Sequence, residues 1–394
     1  MKNKKNKKIL FFLAPILLIS LFIFYQIKSI PATIYIKEGD KVQSKGLYCF
    51  SDLSKASQQR AEVKILGLLN VKSVNIKKVP EIYIIPGGQP IGVKIDTKGL
   101  MVIAISEFKT SGNITISPSA MAGIETGDYI IEINGNKLKT AEDLMREVDN
   151  SEGKEISILI KRGSETKLKK VKPEKSEKDG KYKIGLWVRD SISGIGTITY
   201  YDSKTNKFAA LGHPITDIDT HDIIIVGNGE INKASIISIR KGSKGSPGEL
   251  KGIFLNEDKP LGSIESNNNC GIFGKISSNS ELSSKKMKIG LRNEIKLGNA
   301  KILTTIEGDT PKLYDIKIEK LFSQNEPGPK SMVIRITDEE LLNRTGGILQ
   351  GMSGSPIIQD NKIIGAVTHV LVNRPDTGYG VYIEWMLQST GTIK

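Results

Sequence analysis

The 394-residue sequence predicts a mainly β protein that follows one apolar N-terminal helix, and three observations lead to that prediction. Apolar residues make up 38% of the chain, enough for packed cores, whereas aromatic residues contribute only 6%. Short apolar runs alternate with turn residues, and 39 glycines indicate many tight turns. One uncharged stretch, residues 9–25, departs from this pattern and is long enough for a helix.

The N-terminus joins a basic flank, residues 1–8, to that uncharged run. Extended to residue 27, the run reaches the roughly 20 residues that span a bilayer. It exceeds the usual apolar part of a cleaved signal peptide, and no clear small-residue cleavage site follows. Lysines precede the run, which predicts a cytoplasmic terminus and an exported body. We therefore expect residues 9–27 to be a transmembrane signal anchor, with later release left open.

Charge and cysteine content limit the partners. The formal net charge is +14, but acidic residues interrupt the basic ones and no basic helix is present, so nucleic-acid binding is not expected. A basic surface beside a membrane favours contact with anionic lipid. Cys49 and Cys270 form neither a disulfide framework nor a metal motif, and whether they pair is left open. Five of the positive charges belong to the basic flank: Lys2, Lys4, Lys5, Lys7 and Lys8.

The body divides into three predicted regions. Residues 31–80 form a small β-rich lead-in without an assigned function, and residues 81–173 combine strands with one clear helix. A charged linker, EKSEKDGK, opens the third region, residues 174–394. Many short strands with Gly, Asn and Asp turns predict an all-β barrel or sandwich there. Its glycine-rich segment 240–252 predicts a mobile loop.

The second region carries the run SPSAMAGIETGDYIIEINGNKL. It predicts a short helix, a turn, a strand ending at Ile133 and a tight Asn134-Gly135 turn. Thr140 then caps a helix, with Asp143 three residues on. This order resembles bacterial PDZ domains over the whole of residues 81–173.

The resemblance implies a peptide-binding loop before the second strand, at Gly88, Ile91, Gly92 and Val93. A glycine-rich loop exposes amides that can hold a carboxylate, and the adjacent strand edge can accept an added strand. The alternatives are a groove filled by the chain itself or a purely structural domain.

The third region contains GGILQGMSGSPIIQDNKIIGAVTHV, the strongest chemical signal in the chain. Small residues around Ser353 allow a tight turn that exposes its hydroxyl, and the amides of Gly351 and Ser353 would stabilise an oxyanion. The segment resembles the G-x-S-G-x-P box of chymotrypsin-like proteases, which implies a double β-barrel. Ser355 is a rival hydroxyl, but the neighbouring Pro356 favours a structural role.

Three histidines are available as the base. His213 ends an apolar strand beside a glycine and is predicted to face a cleft. His221 lies in a polar stretch and is predicted to be a surface residue, whereas His369 is predicted to line the core or a pocket. A metal site of His213, Asp217, Asp219 and His221 matches no common ligand spacing, and no cofactor is expected.

Together these segments resemble the stage IV sporulation protein B peptidases of endospore-forming bacteria. The shared runs are GIGTITYYD, ALGHPITDIDT and MVIRITDEELLNRTGGILQGMSGSPIIQDNKIIGAVTHVLVN. The resemblance implies an endopeptidase anchored in the forespore membrane, with its body between the two forespore membranes. The family cleaves itself and a membrane-bound regulatory protein, which releases an intramembrane protease that activates the late mother-cell sigma factor. Pro214 departs from the pattern, since an aliphatic residue can follow the histidine.

By position the resemblance implies the catalytic set His213, Asp338 and Ser353. Asp338 follows an apolar strand, and a carboxylate at a strand end can approach across a cleft. It could equally be the N-cap of the helix that begins EELLNR. Three further carboxylates stay open as the acid: Asp217, Asp219 and Asp222.

Two other functions remain open at this point. One is a catalytically silent PDZ adaptor that binds membrane-protein tails. The other is a general quality-control protease of the envelope, although in those enzymes the PDZ domain usually follows the protease domain.

Overall fold

The computed structural model describes residues 30–39, 48–50, 60–277 and 285–393, and near the N-terminus residues 15, 17, 18, 20–24, 27 and 28. The predicted basic flank and much of the predicted anchor lie outside the described residues. Five apolar side chains of the described N-terminal helical residues are more than half exposed: Leu17, Leu18, Leu21, Phe22 and Phe24. Within the described part of the chain, no helix is both long and apolar enough to cross a membrane.

A small four-stranded sheet follows, in the order β1-β4-β3-β2. Strand β1 runs parallel to β4, whereas β3 is antiparallel to both β4 and β2. Its buried side chains, among them Ile36, Val63 and Val74, form a core of their own. The strands are β1 Thr33–Lys37, β2 Tyr48–Phe50, β3 Arg60–Ile65 and β4 Leu69–Val79.

The first barrel is a closed ring of six strands in the order β6-β15-β16-β20-β19-β17. Alternating apolar residues such as Ile91, Val93 and Ile95 point into its core, as expected for strands with one buried face. Its strands, with β18 paired to the outer end of β17, are β6 Pro90–Ile105, β15 Leu186–Asp202, β16 Lys207–Ala210, β17 Val226–Arg240, β18 Glu249–Leu255, β19 Gly262–Asn268 and β20 Gly271–Ile276.

The second barrel is also a ring of six strands, in the order β22-β23-β24-β27-β26-β25. Two short strands, β5 Tyr83–Pro86 and β21 Met287–Ile289, join it to the first. The mainly β prediction is confirmed, and two rings agree with the predicted double barrel. The elements are β22 Gly298–Thr304, β23 Lys312–Leu321, β24 Met332–Ile336, α3 Glu339–Thr345, β25 Pro356–Gln359, β26 Lys362–Leu371, β27 Arg374–Tyr382 and α4 Ile383–Ser389.

The PDZ unit is inserted between the first two strands of the first barrel. The second half of β6 and the first half of β15 pair with each other and enclose a separate core around Leu100, Ile130 and Ile158. Thr140 caps its main helix through a reciprocal bond with Asp143, as predicted. Its other elements are β7 Phe108–Lys109, β8 Thr115–Ile116, α1 Pro118–Met121, β9 Tyr129–Ile133, β10 Asn136–Lys137, α2 Ala141–Asp149, β11 Ile156–Arg162, β12 Glu165–Val171, β13 Glu174–Lys175 and β14 Tyr182–Lys183.

This nesting corrects the predicted boundary between residues 173 and 174. Buried residues from Leu100 to Ile184 share the PDZ core, whereas Ile91 on β6 and Ile198 on β15 belong to the barrel core. The two long strands pair with each other throughout, and they pass from the PDZ core to the barrel core near a shift in their mutual register, between Arg189 and Ser191. The linear pattern gave no sign of the change, because the strands continue without a break.

The predicted peptide-binding loop is likewise wrong. Ile91 and Val93 point into the barrel core, and the amide of Gly88 donates to the carbonyl of Ile198 at 2.8 Å. Gly92 lies on β6 between β15 and β17, and a Cβ there would be 2.5 Å from the Phe254 ring. These residues build the protease barrel because the strand that follows their loop enters the barrel before it reaches the PDZ core.

Substitution of Gly92 tests this correction. We expect Gly92→Leu to lower the free energy of unfolding by about 1–3 kcal/mol, because the side chain overpacks the Phe254 contact. Gly194→Ala, on the neighbouring strand, is the control, since a Cβ there meets nothing within 4 Å. Urea unfolding measures both, and a Gly92→Leu chain as stable as the control would return this position to a solvent-facing loop.

Candidate active site

The nucleophile loop, residues 348–355, connects α3 to β25 in the second barrel. Gly351 and Gly354 have φ angles of +97° and +99°, the left-handed region in which glycine is favoured. A Cβ on Gly354 would stand 2.0 Å from the carbonyl oxygen of Thr197. The two glycines therefore let the loop turn tightly around Ser353 and press against the first barrel.

Two threonines of β15 fasten this loop to the first barrel. The Thr197 hydroxyl donates to the Gly351 carbonyl at 2.7 Å, and the Thr197 amide donates to the Ser353 carbonyl at 3.0 Å. The Thr199 hydroxyl donates to the Gly354 carbonyl at 2.8 Å. Both threonines are buried, so these bonds are shielded from water and fix the position of the loop.

The groups on Ser353 suit acyl transfer. Among the described residues, the amides of Gly351 and Ser353 have no hydrogen-bond acceptor, whereas the Met352 amide between them donates to the Leu349 carbonyl at 3.1 Å. These two amides are the predicted oxyanion donors, and both are free to bind a developing negative charge. The Ser353 hydroxyl donates to the Thr368 carbonyl at 2.7 Å. Rotation about its Cα–Cβ bond must break that bond before the hydroxyl can reach a base.

His213 enters the site from the first barrel, just beyond β16. The preceding Gly212 packs so closely that a Cβ would be 2.9 Å from the Thr368 side chain. His213 Nδ1 lies 2.7 Å from the Pro214 carbonyl, which can only accept, so Nδ1 carries the proton of a neutral ring. The other nitrogen, Nε2, then keeps its lone pair for a serine proton, as general-base catalysis requires.

His369 is the residue that sequence reasoning underrated. Its ring centroid lies 4.9 Å from that of His213, and it directly follows Thr368, whose carbonyl accepts the Ser353 hydroxyl. Its Nδ1 atom is buried without a hydrogen-bond partner. His369 is thus a half-buried residue packed against His213, and the HVL run alone gave no signal that the two imidazoles meet.

Burial keeps both imidazoles neutral. Desolvation lowers the pKa of His213 below its ordinary value of 6.5, and the Pro214 carbonyl opposes part of that effect. Desolvation and the neighbouring His213 lower the pKa of His369 to about 4. A neutral imidazole is the form that accepts a proton, so both shifts maintain the base at neutral pH.

Asp338 lies elsewhere. Its carboxylate accepts from the Leu341 amide at 3.0 Å and the Asp315 amide at 3.2 Å, and it caps α3. Val333 and His369 both pair with Tyr379, so they lie at the same level of the second barrel. Asp338 is five residues beyond Val333, which places it about 16 Å further along the chain. The structure therefore brings His213 to His369 and not to Asp338, whose catalytic role stays a prediction that this conformation does not support.

Two of the three alternative carboxylates, Asp217 and Asp219, are paired with Arg189, and Asp222 stays an open alternative. Asp217 is fully buried, pairs with Arg189 at 2.9 Å and accepts the amides of Asp219 and Thr220. Asp219 pairs with the same arginine at 2.5 Å. Among the described residues, no cluster of three or more His, Cys, Asp and Glu side chains could hold a metal ion.

Other predicted residues have structural positions. The Ser355 hydroxyl is fully buried, 2.6 Å from the Met352 carbonyl and 2.8 Å from the Thr304 hydroxyl. His221 is exposed, and Cys49 and Cys270 are both free thiols.

The loop within residues 240–252 is held against the nucleophile loop by two hydrogen bonds to Gln350. The Gln350 amide donates to the Gly248 carbonyl, and the Leu250 amide donates to the Gln350 carbonyl. That contact overturns its prediction as a mobile segment.

An open strand edge of the PDZ unit, which we call the groove strand, lies at a different place from the predicted loop. Residues 186–189 of β15 pair with β6 on one side, and in the described structure no strand covers the other side. Helix α2 runs alongside: Asp149 near its end accepts from the Tyr182 amide, and Ala141 at its start donates to Asp190. A strand edge beside a helix is the arrangement that accepts an added peptide strand. The run IGLWV, residues 184–188, was the signal that could have located it.

Two family models match this chain. The model described as SpoIVB peptidase S55 matches residues 180–387, and the one described as PDZ domain matches residues 115–162. The chain belongs to the SpoIVB peptidase S55 family. Membership confirms the predicted serine-endopeptidase class, and it places both His213 and Ser353 within the matched peptidase segment.

Curated relatives of this SpoIVB-family chain match over shorter stretches. A Synechocystis sp. protein named as the serine protease HhoB is 36% identical over 88 residues, 22% of this chain and 19% of its own length. A Clostridium acetobutylicum protein named as a zinc metalloprotease is 28% identical over 163 residues, 41% of this chain and 42% of its own length. The chain thus spans well under two thirds of these relatives.

Solved structures give a weaker likeness. The active form of the Rv3671c protease from M. tuberculosis is 13% identical, with a TM-score of 0.32 over 51% of this chain and 74% of that one. The PDZ domain of an SdrC-like protein from Listeria monocytogenes is 23% identical, with a TM-score of 0.19 over 23% of this chain and 87% of that one.

Asp338 variants separate a cap from a triad member. Asparagine is a good N-cap, so we expect Asp338→Asn to remain active, while Asp338→Ala loses about 1 kcal/mol of stability. A triad acid predicts instead a loss on the order of 10⁴ in kcat for the asparagine variant. Melting temperature and peptide cleavage, measured together, decide between them. A folded but inactive Asp338→Asn chain would restore Asp338 to the triad.

The pH profile tests His213 as the base. Protonation below its pKa removes the acceptor lone pair, and because burial lowers that pKa, we expect kcat/KM to fall only below pH 6.5. His221→Gln should leave this acidic limb in place, since His221 is exposed and outside the site. An acidic limb centred above pH 6.5 would contradict the buried, neutral His213 described above.

Proposed function

We propose that this chain is a sporulation signalling endopeptidase that hydrolyses peptide bonds through an acyl-enzyme on Ser353. The observation that carries the proposal is the position of Ser353 between the barrels, with two free amides on its own loop and its hydroxyl bonded to the carbonyl of Thr368, the residue before His369, whose ring contacts that of His213. Family membership supports the peptidase chemistry. The substrates proposed are the chain itself and a membrane-bound regulatory protein.

The reaction follows from the arrangement of these groups. Once the Ser353 hydroxyl leaves the Thr368 carbonyl, His213 Nε2 takes its proton and the oxygen attacks the scissile carbonyl carbon. The Gly351 and Ser353 amides bind the oxyanion, and His213 returns the proton to the leaving amine. Water then cleaves the acyl-enzyme by the same steps.

The proposed location is the space between the two forespore membranes. The basic flank and the uncharged run at residues 9–27 support a single-pass anchor with an exported body. Cleavage of the regulatory protein there would release its intramembrane protease and so activate the late mother-cell sigma factor. Self-cleavage would release the body from the anchor.

The PDZ unit is proposed to regulate this cleavage through the segment that follows His213. Arg189 lies on the groove strand β15 and pairs with buried Asp217, four residues after His213. The Tyr129 hydroxyl of the same unit also accepts the Ile225 amide at 3.4 Å, at the far end of that segment. A peptide added to β15 would therefore bear on the position of the imidazole.

Serine variants test the chemistry. We expect Ser353→Ala to abolish self-cleavage, with a rate loss on the order of 10⁴ or more. Ser355→Ala should retain substantial activity, because its buried hydroxyl bonds to the Met352 carbonyl and the Thr304 hydroxyl and has a structural role. Immunoblotting of full-length and processed chain in sporulating cells measures both, and normal processing of Ser353→Ala would rule out the proposed nucleophile.

Arg189 variants test the link between the domains. We expect Arg189→Met to lower kcat on the order of 10- to 100-fold with a smaller change in KM, because the segment after His213 loses its tether. Arg162→Met is the matched control: Arg162 also pairs with a buried aspartate of the PDZ unit, Asp128 at 2.7 Å, but not with that segment. Equal losses of kcat in both variants would mean that the loss comes from general damage to the PDZ unit and not from the contact with the segment after His213.

A further inference from the structure

The hairpin between β3 and β4 ends in an unusual apolar tip. Leu66, Leu68 and Leu69 are 66%, 83% and 68% exposed, and we call these three residues the leucine tip. Single exposed leucines are ordinary, but three at one point form a contiguous apolar patch, which marks an interaction site. Neither the proposed catalysis nor the PDZ unit uses this part of the chain.

The backbone of the turn makes the residue choice stand out. Leu66 has a φ angle of +51° and Gly67 one of +75°, and the Leu68 amide closes the turn on the Ile65 carbonyl at 3.0 Å. Tight hairpin turns with positive φ favour Asn, Asp or Gly at both central positions. A leucine there is conformationally costly and gains no buried contact, so the folded chain alone does not account for it.

The tip lies at the end of the sheet where the predicted anchor enters. Because β1 runs parallel to β4, the chain before Thr33 points the same way as the start of β4. The Lys72 ammonium donates to the Ile30 carbonyl, so Ile30 lies beside Lys72. Lys72 is three residues along β4 from Leu69, a distance of about 10 Å. The Ile30 amide donates to the carbonyl of residue 27, the last residue of the predicted span, at 3.2 Å.

We infer that the leucine tip inserts into the outer face of the membrane that holds the anchor. This inference rests on the proposed anchorage, since residue 27 and the tip lie toward the same end of the sheet and a lipid surface at one faces the other. Lys28 and Lys64 adjoin the two apolar segments, where their ammonium groups would reach the lipid headgroups. Two insertion points, the anchor and the tip, would fix the orientation of the sheet relative to the bilayer.

A tryptophan at the tip reports its surroundings. The full chain carries Ser353→Ala, which prevents the proposed self-cleavage from releasing the body, and Trp187→Phe, which removes the exposed native tryptophan. It keeps Trp385, which is only 3% exposed. Leu68→Trp is added in one chain and Leu168→Trp in a control, because Leu168 is 63% exposed on β12 of the PDZ unit. Both chains are reconstituted in phosphatidylcholine–phosphatidylglycerol vesicles with brominated acyl chains.

We expect blue-shifted and strongly quenched emission from Leu68→Trp and neither change from Leu168→Trp. If the chain floats with the vesicles but the Leu68→Trp emission is quenched no more than the Leu168→Trp emission, the tip does not insert and only this inference fails. A tip that instead contacts a protein or a second copy of the chain would give this outcome. If the full chain does not float at all, the proposed anchorage fails and the inference with it.

Discussion

Strand β15 is the constraint on which the rest of the molecule depends. One continuous strand forms the edge of the PDZ groove at residues 186–189 and a wall of the first barrel beyond residue 191. Thr197 and Thr199 on that strand hold the nucleophile loop of the second barrel. Arg189 on the same strand holds the segment after His213. The open PDZ edge, the segment after His213 and the loop of Ser353 therefore all contact one strand, so a change at the PDZ edge can reach both candidate catalytic residues through hydrogen bonds and an ion pair.

The resting site is assembled but not engaged. The Ser353 hydroxyl is bonded to the Thr368 carbonyl, and the His213 ring is oriented by the Pro214 carbonyl in place of a carboxylate. A carbonyl fixes the tautomer as an aspartate would, but it stabilises the imidazolium less, because it carries no full charge. Small movements of the segment after His213 would therefore change the orientation of the imidazole.

The sequence allowed a sound prediction of the local backbone around Ser353 and a poor one of the domain boundaries. The tight turn at Ser353 and the strand end at His213 followed from the glycine pattern and from the few histidines, and their catalytic roles stay predictions. The nested PDZ unit did not, because β6 and β15 stay paired with each other while they pass from one core to the other in mid-strand, and period-two alternation continues through the change. The contact of His213 with His369 joins residues 156 positions apart, and pairing of that range depends on barrel closure, which no local pattern encodes. From the sequence alone, Asp338 fits the role of a helix N-cap and that of a triad acid equally well, because its distance from the imidazole depends on the fold.

The central claim is that Ser353, activated by His213, is the nucleophile. The most direct measurement is labelling of the folded full chain with a fluorophosphonate, followed by mass spectrometry to locate the adduct. The account predicts one adduct, on Ser353, formed much more slowly in His213→Gln of unchanged melting temperature. An adduct on another residue, or equal labelling rates in the two chains, would contradict it.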